Sequence, residues 1–156
     1  MLKIVKRVAV LSIFVLALSA CGGESVTICE VDQAFLGEEG FPGHSSVQLE
    51  ASGDTVDIME EEAFFEIDYY LDHFHMTLED AVEFWESARH MMPDGITIEV
   101  DTSDRYLILR TFYDFDEISQ DDLQAIFGGD EDTSRISLRL TIERIEDEQG
   151  GTCNTE

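Results

Sequence analysis

The N-terminal segment divides this chain into a leader and a folding unit, and it fixes which residues remain to form a domain. Residues 1–7 carry Lys3, Lys6 and Arg7, and residues 8–18 are apolar apart from one serine. A basic region, a short apolar run and small residues are typical of a secretory signal peptide. The run is too short for a membrane span, which needs about 20 residues. We therefore predict a signal peptide over residues 1–20.

The residues that end the apolar run carry a second signal. Leu18-Ser19-Ala20-Cys21 resembles a bacterial lipobox, an aliphatic residue and two small ones before a cysteine. The resemblance implies that the Cys21 thiol receives a diacylglycerol, that cleavage occurs before Cys21, and that the new amine is acylated. Two or three acyl chains hold a protein firmly at about 0.8 kcal/mol per buried CH₂. We expect a lipid-anchored protein on the extracytoplasmic side of the cell membrane; the alternative is a secreted protein with an incidental cysteine.

The charge of the remaining chain is extreme. The whole sequence has 9 basic and 35 acidic residues, and without residues 1–20 the net charge is −29 over 136 residues, with no lysine. Binding to nucleic acid is therefore excluded, since its affinity comes from Lys and Arg on phosphates. Repulsion from anionic lipid favours a flexible tether over residues 21–28. The charge favours a cationic partner, such as a basic protein, a peptide or a divalent ion, although adaptation to high salt would give the same composition.

The cysteine count indicates an oxidising compartment. Once Cys21 is lipidated, Cys29 and Cys153 remain as a pair near the two ends of the predicted domain, residues 29–153. A disulfide between them is the economical interpretation for an exported chain. It would close a loop that loop-entropy theory rates at about 4–5 kcal/mol. Free thiols or a zinc site are the alternatives, but two cysteines so far apart lack metal-ligand spacing.

The first half of the domain shows the alternation of a β-hairpin. Val47, Leu49 and Ala51 alternate with polar residues, and the turn signal Ser52-Gly53-Asp54 follows. The apolar residues of the return strand occupy even positions at first, Val56 and Ile58, and odd positions later, Phe65, Ile67 and Tyr69. This change predicts a one-residue slip near residues 60–62.

The second half of the domain alternates helices and strands. Thr77 and Asp80 resemble a capping box, and the apolar residues of 78–92 follow at helical spacing. The patterns then predict strands at 96–100 and 106–115 and a short helix at 120–127. The segment 136–149 fits both strand alternation and helical spacing, and a helix from about residue 138 is favoured because Gly150-Gly151 would end it. The order predicts an α+β fold: an antiparallel sheet of two hairpins with helices packed on one face, in two layers.

Several local motifs occur in a fixed order along the chain. They are the lipobox, the Gly53-Asp54 turn, Thr77-Leu78-Glu79-Asp80-Ala81, Gly95-Ile96, the segment from Phe112 to Asp116, Ile136-Ser137-Leu138 and Gln149-Gly150. With these motifs the chain resembles the small YehR-like bacterial lipoproteins, also described as domain of unknown function DUF1307. The resemblance covers about residues 45–151 and implies the fold and an anchored extracytoplasmic location, but no reaction.

Candidate chemistry is sparse. His73 and His75 would point to one side of an extended segment, as zinc or copper ligands do; the alternative is a solvated loop. Acidic clusters at 114–122 and 130–132 lack the spacing of a calcium loop. No nucleophile, metalloprotease or phosphate-loop motif is present, and Trp85 is expected in the core. We therefore predict a non-enzymatic binding module without a cofactor or metal; the alternatives are a cell-envelope enzyme and a divalent-metal-binding protein.

Overall fold

The computed structural model describes residues 23–37, 39–127 and 135–156. The predicted signal peptide, residues 1–20, and the predicted lipidation site Cys21 lie outside the described residues, as does the acidic cluster at 130–132. Within the described ranges, no helix is long and apolar enough to cross a membrane.

Eight strands and four helices make up the described part of the chain. The strands are β1 (Glu24–Val31), β2 (Ala34–Leu36), β3 (Glu39–Phe41), β4 (Gly43–Ser52), β5 (Thr55–Glu66), β6 (Ile96–Thr102), β7 (Tyr106–Asp114) and β8 (Thr152–Thr155). The helices are α1 (Ile67–Phe74), α2 (Leu78–Arg89), α3 (Gln120–Phe127) and α4 (Leu138–Glu148).

The main sheet has six antiparallel strands in the order β6-β7-β5-β4-β1-β8, and β2 and β3 form a separate small hairpin. The helices contribute to apolar clusters that contain inward-facing strand residues, such as Leu109 with Ala81 of α2 and Leu49 with Ile145 of α4. All of these strand residues lie on one face of the sheet. The predicted two-layer α+β fold with helices on one face is confirmed, with six strands in place of four.

The N-terminal part of the domain differs from the prediction. Residues 24–28 belong to β1, which pairs with β4 on one side and β8 on the other, so a flexible tether over 21–28 is wrong for these residues. Thr27 and Cys29 are fully buried, and the Thr27 hydroxyl bonds that of Thr155 at 2.8 Å. The alternation was missed because the inward positions carry Ser, Thr and Cys rather than large apolar residues. Strand β8 was missed for the same reason.

The predicted slip in the return strand is real, but it lies elsewhere. Glu50 of β4 pairs with Ile58 of β5, and the next β4 residue, Ala51, pairs with Val56. Asp57 is therefore the extra residue of a bulge, and residues 60–62 continue the strand without a break. The bulge moves the inward face of β5 from Val56 to the odd positions that follow it.

Helix α1 replaces the predicted continuation of the strand beyond residue 66. Ile67, Tyr70, Leu71 and Phe74 have helical spacing, and the buried Tyr70 packs on the ring of Phe65 at 5.4 Å. The apolar residues at 67 and 69 were assigned to strand alternation because two-residue and helical periods overlap over so short a stretch.

The other helices match their predictions. Thr77 and Asp80 form the predicted capping box at the start of α2, since the Thr77 hydroxyl accepts the Asp80 N–H and the Asp80 carboxylate accepts the Thr77 N–H. Helix α3 spans residues 120–127 as predicted. Helix α4 begins at Leu138, where Ser137 caps it by accepting the Leu140 N–H.

Candidate functional site

A cavity of about 220 Å³ lies between the inner face of the sheet and the elements that cover it. Its walls come from the β2–β3 hairpin, from the three strands β5, β6 and β7, and from the region of α2 and α3. The lining residues are Phe35, Leu36, Gly37, Glu61, Ala63, Trp85, Met92, Ile96, Ile98, Leu109, Thr111, Tyr113 and Ile126. Gly37 and Ile126 are exposed, so the cavity meets solvent on their side. The lining is apolar except for a few polar side chains, which is typical of small-ligand sites.

The bulge at Asp57 places a carboxylate in this apolar lining. Strict alternation from the buried Val56 would turn Glu60 inward and Glu61 outward. The extra residue reverses the alternation, so Glu61 shares the inward face with Ala63 and Phe65, and Glu60 is exposed on the opposite face. A local irregularity of the backbone therefore decides which of two adjacent glutamates is withdrawn from water.

Glu61 is the one acidic or basic side chain that lines the cavity. It lies in register with Val47 on β4 and with Thr111 on β7. Burial raises the pKa of its carboxyl above the ordinary value. Among the described residues, no hydrogen bond or ion pair reaches its oxygens, and these oxygens keep contact with solvent, since no fully buried side-chain oxygen there lacks a hydrogen-bond partner. Its side chain keeps partial exposure because it faces the cavity.

Two hydroxyls accompany the carboxylate in the cavity. Thr111 lies directly across the ladder from Glu61, and Tyr113 lies two residues farther along β7 on the same face. Burial raises the pKa of the Tyr113 phenol strongly, and the negative charge of Glu61 raises it further. Tyr113 therefore stays protonated at neutral pH and is available as a hydrogen-bond donor or acceptor.

Trp85 of α2 forms part of the opposite wall. Its indole Nε1 donates to the Tyr70 hydroxyl at 3.0 Å, which ties α2 to α1. The prediction of a core role is borne out only in part, because the side chain is half-buried and also lines the cavity.

The outer face of the sheet, which the described helices leave uncovered, is strongly acidic. Its carboxylates are those of Glu24, Glu30, Glu50, Glu60, Glu62, Glu66, Glu99, Asp101 and Asp114. Arg110 lies among them, and its guanidinium is 2.6 Å from Glu62 and 3.7 Å from Asp101. This face carries much of the charge that the sequence indicated, spread over an open surface and not gathered into a site.

The cysteines come together as predicted. Cys29 of β1 and Cys153 of β8 are direct partners in the ladder and lie at disulfide distance. The bridge fastens the C-terminal strand to the sheet, and β4 separates the bridged strands from β5, which carries Glu61.

The histidines do not form the suggested metal site. His73 lies in the last turn of α1, packed on the Phe41 ring at 5.1 Å, with Nε2 3.5 Å from the Glu39 carboxylate. His75 follows the helix in a left-handed conformation with φ 54°. The extended segment that would put both on one side is therefore a helix end. In the ranges that the structure describes, no three His, Cys, Asp or Glu side chains converge as metal ligands would.

Sequence reasoning missed Glu61, although a signal existed. Three consecutive glutamates precede an apolar Ala-Phe-Phe segment, and the change of parity in that strand implied that one of them points inward. Which one does so depends on the position of the bulge, which the sequence pattern placed three to five residues too late.

No family model and no curated protein matches the chain. Its structure is similar to the NMR structure of the Escherichia coli YehR protein, with a TM-score of 0.59 and 17% identity over 85% of this chain and 91% of that one. An NMR structure of a protein from Streptococcus pneumoniae TIGR4 gives a TM-score of 0.48 and 12% identity over 99% of each chain. At these identities the likeness to YehR shows the fold alone.

Proposed function

We propose that this chain is a lipid-anchored, extracytoplasmic binding module of the YehR-like type that recognises a cationic partner. The proposal rests mainly on the Glu61 carboxylate. It faces an apolar cavity, and no basic side chain among the described residues lines that cavity. Partial burial disfavours the ionised form of this carboxylate, and a bound cation would offset that cost. The net charge of the chain adds a long-range attraction for any positive ligand.

The anchor is supported by the sequence. The basic and apolar segment of residues 1–20 and the lipobox at Cys21 indicate export and lipidation. The ladder pairing of Cys29 with Cys153 agrees with an oxidising, extracytoplasmic location. Assignment to the YehR-like lipoproteins is supported by the sequence features given above and by the similarity of fold.

Native intact-mass spectrometry of the protein extracted from its own membrane fraction tests this proposal. The expected mass is that of residues 21–156 with two or three acyl chains, less two hydrogens for the disulfide. A bound cationic species that is released by moderate salt supports the binding role. A protein without the acyl mass contradicts the anchor, and association that is insensitive to salt contradicts a role for charge in recognition.

An enzyme that acts on envelope material is the second candidate, because a carboxyl with a raised pKa in a concave site is the feature expected of a general acid. Incubation with isolated cell envelope, followed by mass analysis of released products, tests it. Products that appear with the wild type and not with Glu61→Gln support catalysis, and equal release by both contradicts it.

A further inference from the structure

The cavity has the polarity of a site for one small organic cation. Glu61 supplies a single negative charge, and the remaining lining is apolar apart from the Thr111 and Tyr113 hydroxyls and the Trp85 indole. The indole N–H already donates to Tyr70, so the carboxylate and the two hydroxyls are the polar groups left to meet a ligand. A divalent ion prefers six or more oxygen ligands, which is more than this set provides.

An ammonium group matches the three polar side chains in number and kind. It carries three N–H donors and no acceptor, and a carboxylate and two hydroxyls all accept hydrogen bonds. Thr111 faces Glu61 across the ladder, and Tyr113 follows on the same face, so the acceptors lie on adjacent strands. A charge-assisted hydrogen bond to Glu61 would be the strongest of the three contacts.

The walls match the rest of such a ligand. The aromatic side chains of Phe35 and Trp85 line the cavity, and aromatic faces attract cations while they exclude water. A volume of about 220 Å³ lies below the range of about 300–1,000 Å³ for drug-sized sites. The ligand is therefore a short chain, which the apolar side chains of Leu36 and Ile98 can cover.

From these features we infer that the cavity binds a primary alkylammonium group, with Glu61 as its counter-ion and the Thr111 and Tyr113 hydroxyls as further acceptors. The inference rests on the proposed function, because it names the class of cation that the module recognises. A free amine and the side chain of a partner protein's lysine present the same chemistry.

The fluorescence of Trp85, the one tryptophan in the sequence, provides the measurement. The full-length protein in a nonionic detergent is titrated with n-butylammonium chloride and with 1-butanol, its neutral isostere. About 0.15 M salt reduces diffuse attraction to the acidic surface. We expect saturable binding of butylammonium, at least about tenfold tighter than that of butanol. Absence of saturable binding, or equal affinity for both probes, overturns the inference.

Two variants with the same net charge separate the cavity from the surface. Glu61→Gln removes the cavity charge, and Glu60→Gln removes the adjacent exposed charge on the outer face. The first is expected to weaken butylammonium binding by about tenfold or more, while the second leaves it within about twofold. Equal weakening by both overturns the inference, since binding would then follow surface charge. Circular dichroism checks that both variants are folded.

Titration with Nα-acetyl-lysine methylamide distinguishes a free amine from the lysine side chain of a partner protein. Binding as tight as that of butylammonium supports a protein lysine, and weaker binding supports a free amine. In either case Glu61→Gln must weaken the binding by about tenfold or more. Failure of both probes, combined with an acylated protein that carries another cation in the intact-mass experiment, overturns the alkylammonium assignment and leaves the proposed function standing.

Discussion

Burial raises the pKa of the Tyr113 phenol on β7, and the negative charge of Glu61 on the neighbouring strand β5 raises it further. The two side chains face one cavity from neighbouring strands, so the charge of Glu61 acts on Tyr113 across a partly desolvated space. The protonated Tyr113 hydroxyl and the Glu61 carboxyl therefore line the same cavity, and burial opposes ionisation of that carboxyl. Ionisation of Glu61 in the cavity therefore costs free energy, and a bound cationic ligand would lower that cost.

We expect Glu61→Gln to stabilise the ligand-free protein at neutral pH by about 1–3 kcal/mol, because it removes a buried charge without a described partner. The pKa of Glu61 is raised on folding, so its contribution to stability is complete below the pKa in the unfolded chain and is lost as pH rises through the folded pKa. The advantage of the variant should thus grow with rising pH and vanish in acid.

Urea unfolding over a pH series measures this difference, with Glu60→Gln as the matched control. The control removes an exposed carboxylate and should stay within about 0.5 kcal/mol of the wild type. Lower stability of Glu61→Gln at neutral pH would show that the carboxylate already has a partner.

We expect the double variant Cys29→Ser with Cys153→Ser to unfold about 2–5 kcal/mol more easily than the wild type. The bridge joins residues that are 124 positions apart and fastens β8 to β1. Urea unfolding with and without a reductant measures the effect. Reductant should lower the stability of the wild type and leave that of the variant unchanged; insensitivity of the wild type would contradict the bridge.

We expect Gly43→Ala to destabilise the protein by more than about 1 kcal/mol. Gly43 begins β4 with φ 148°, and an added Cβ would collide with the backbone carbonyl oxygen of Phe64 on the paired strand. Thermal unfolding compares it with Gly23→Ala, where the added Cβ has nothing within 4 Å. An equal, small effect of both substitutions would mean that the two strands separate easily at this point.

We expect Thr77→Ala to cost about 1 kcal/mol, because the hydroxyl that caps α2 is lost, whereas Thr77→Ser should keep most of that stability. Hydrogen bonds from Thr77 lower the pKa of Asp80. The stabilisation from this carboxylate is therefore present above its unfolded pKa and is lost as pH falls through the folded value. Urea unfolding at neutral and acidic pH measures the effect. The free energy of unfolding should fall less on acidification in the alanine variant than in the wild type, and an equal fall in both proteins would contradict the cap.

Several elements followed from local patterns. The capping box at Thr77 and the spacing of the apolar residues after it were sufficient to place α2, because both signals act within a few turns of helix. Strands β6 and β7 were also predicted from local patterns. Apolar and polar residues alternate along β6, and β7 is apolar on both faces. The pairing of Cys29 with Cys153 followed from the count of cysteines and the predicted export, and the structure brings the two together.

Other elements depended on partners far along the chain. Strand β1 presents Thr27 and Cys29 inward, and neither resembles a core residue until Thr155 and Cys153 of β8 lie against them. The helix α1 was mistaken for a strand because its apolar face is defined by packing on Phe65 and Phe41. In these cases the burial that stabilises the element comes from contacts that no short window contains.

The sequence by itself determined the fold class, the starts of α2, α3 and α4, the cysteine pair and the existence of a slip in β5. Only the tertiary structure decided that the slip lies at Asp57, and hence that Glu61 rather than Glu60 faces the core. The periodicity of the sequence shows that the inward-facing positions of β5 change from even to odd. The position of the extra residue, however, is set by the register of β5 with β4. The withdrawal of a carboxylate from water then depends on what the helices and the β2–β3 hairpin place above it.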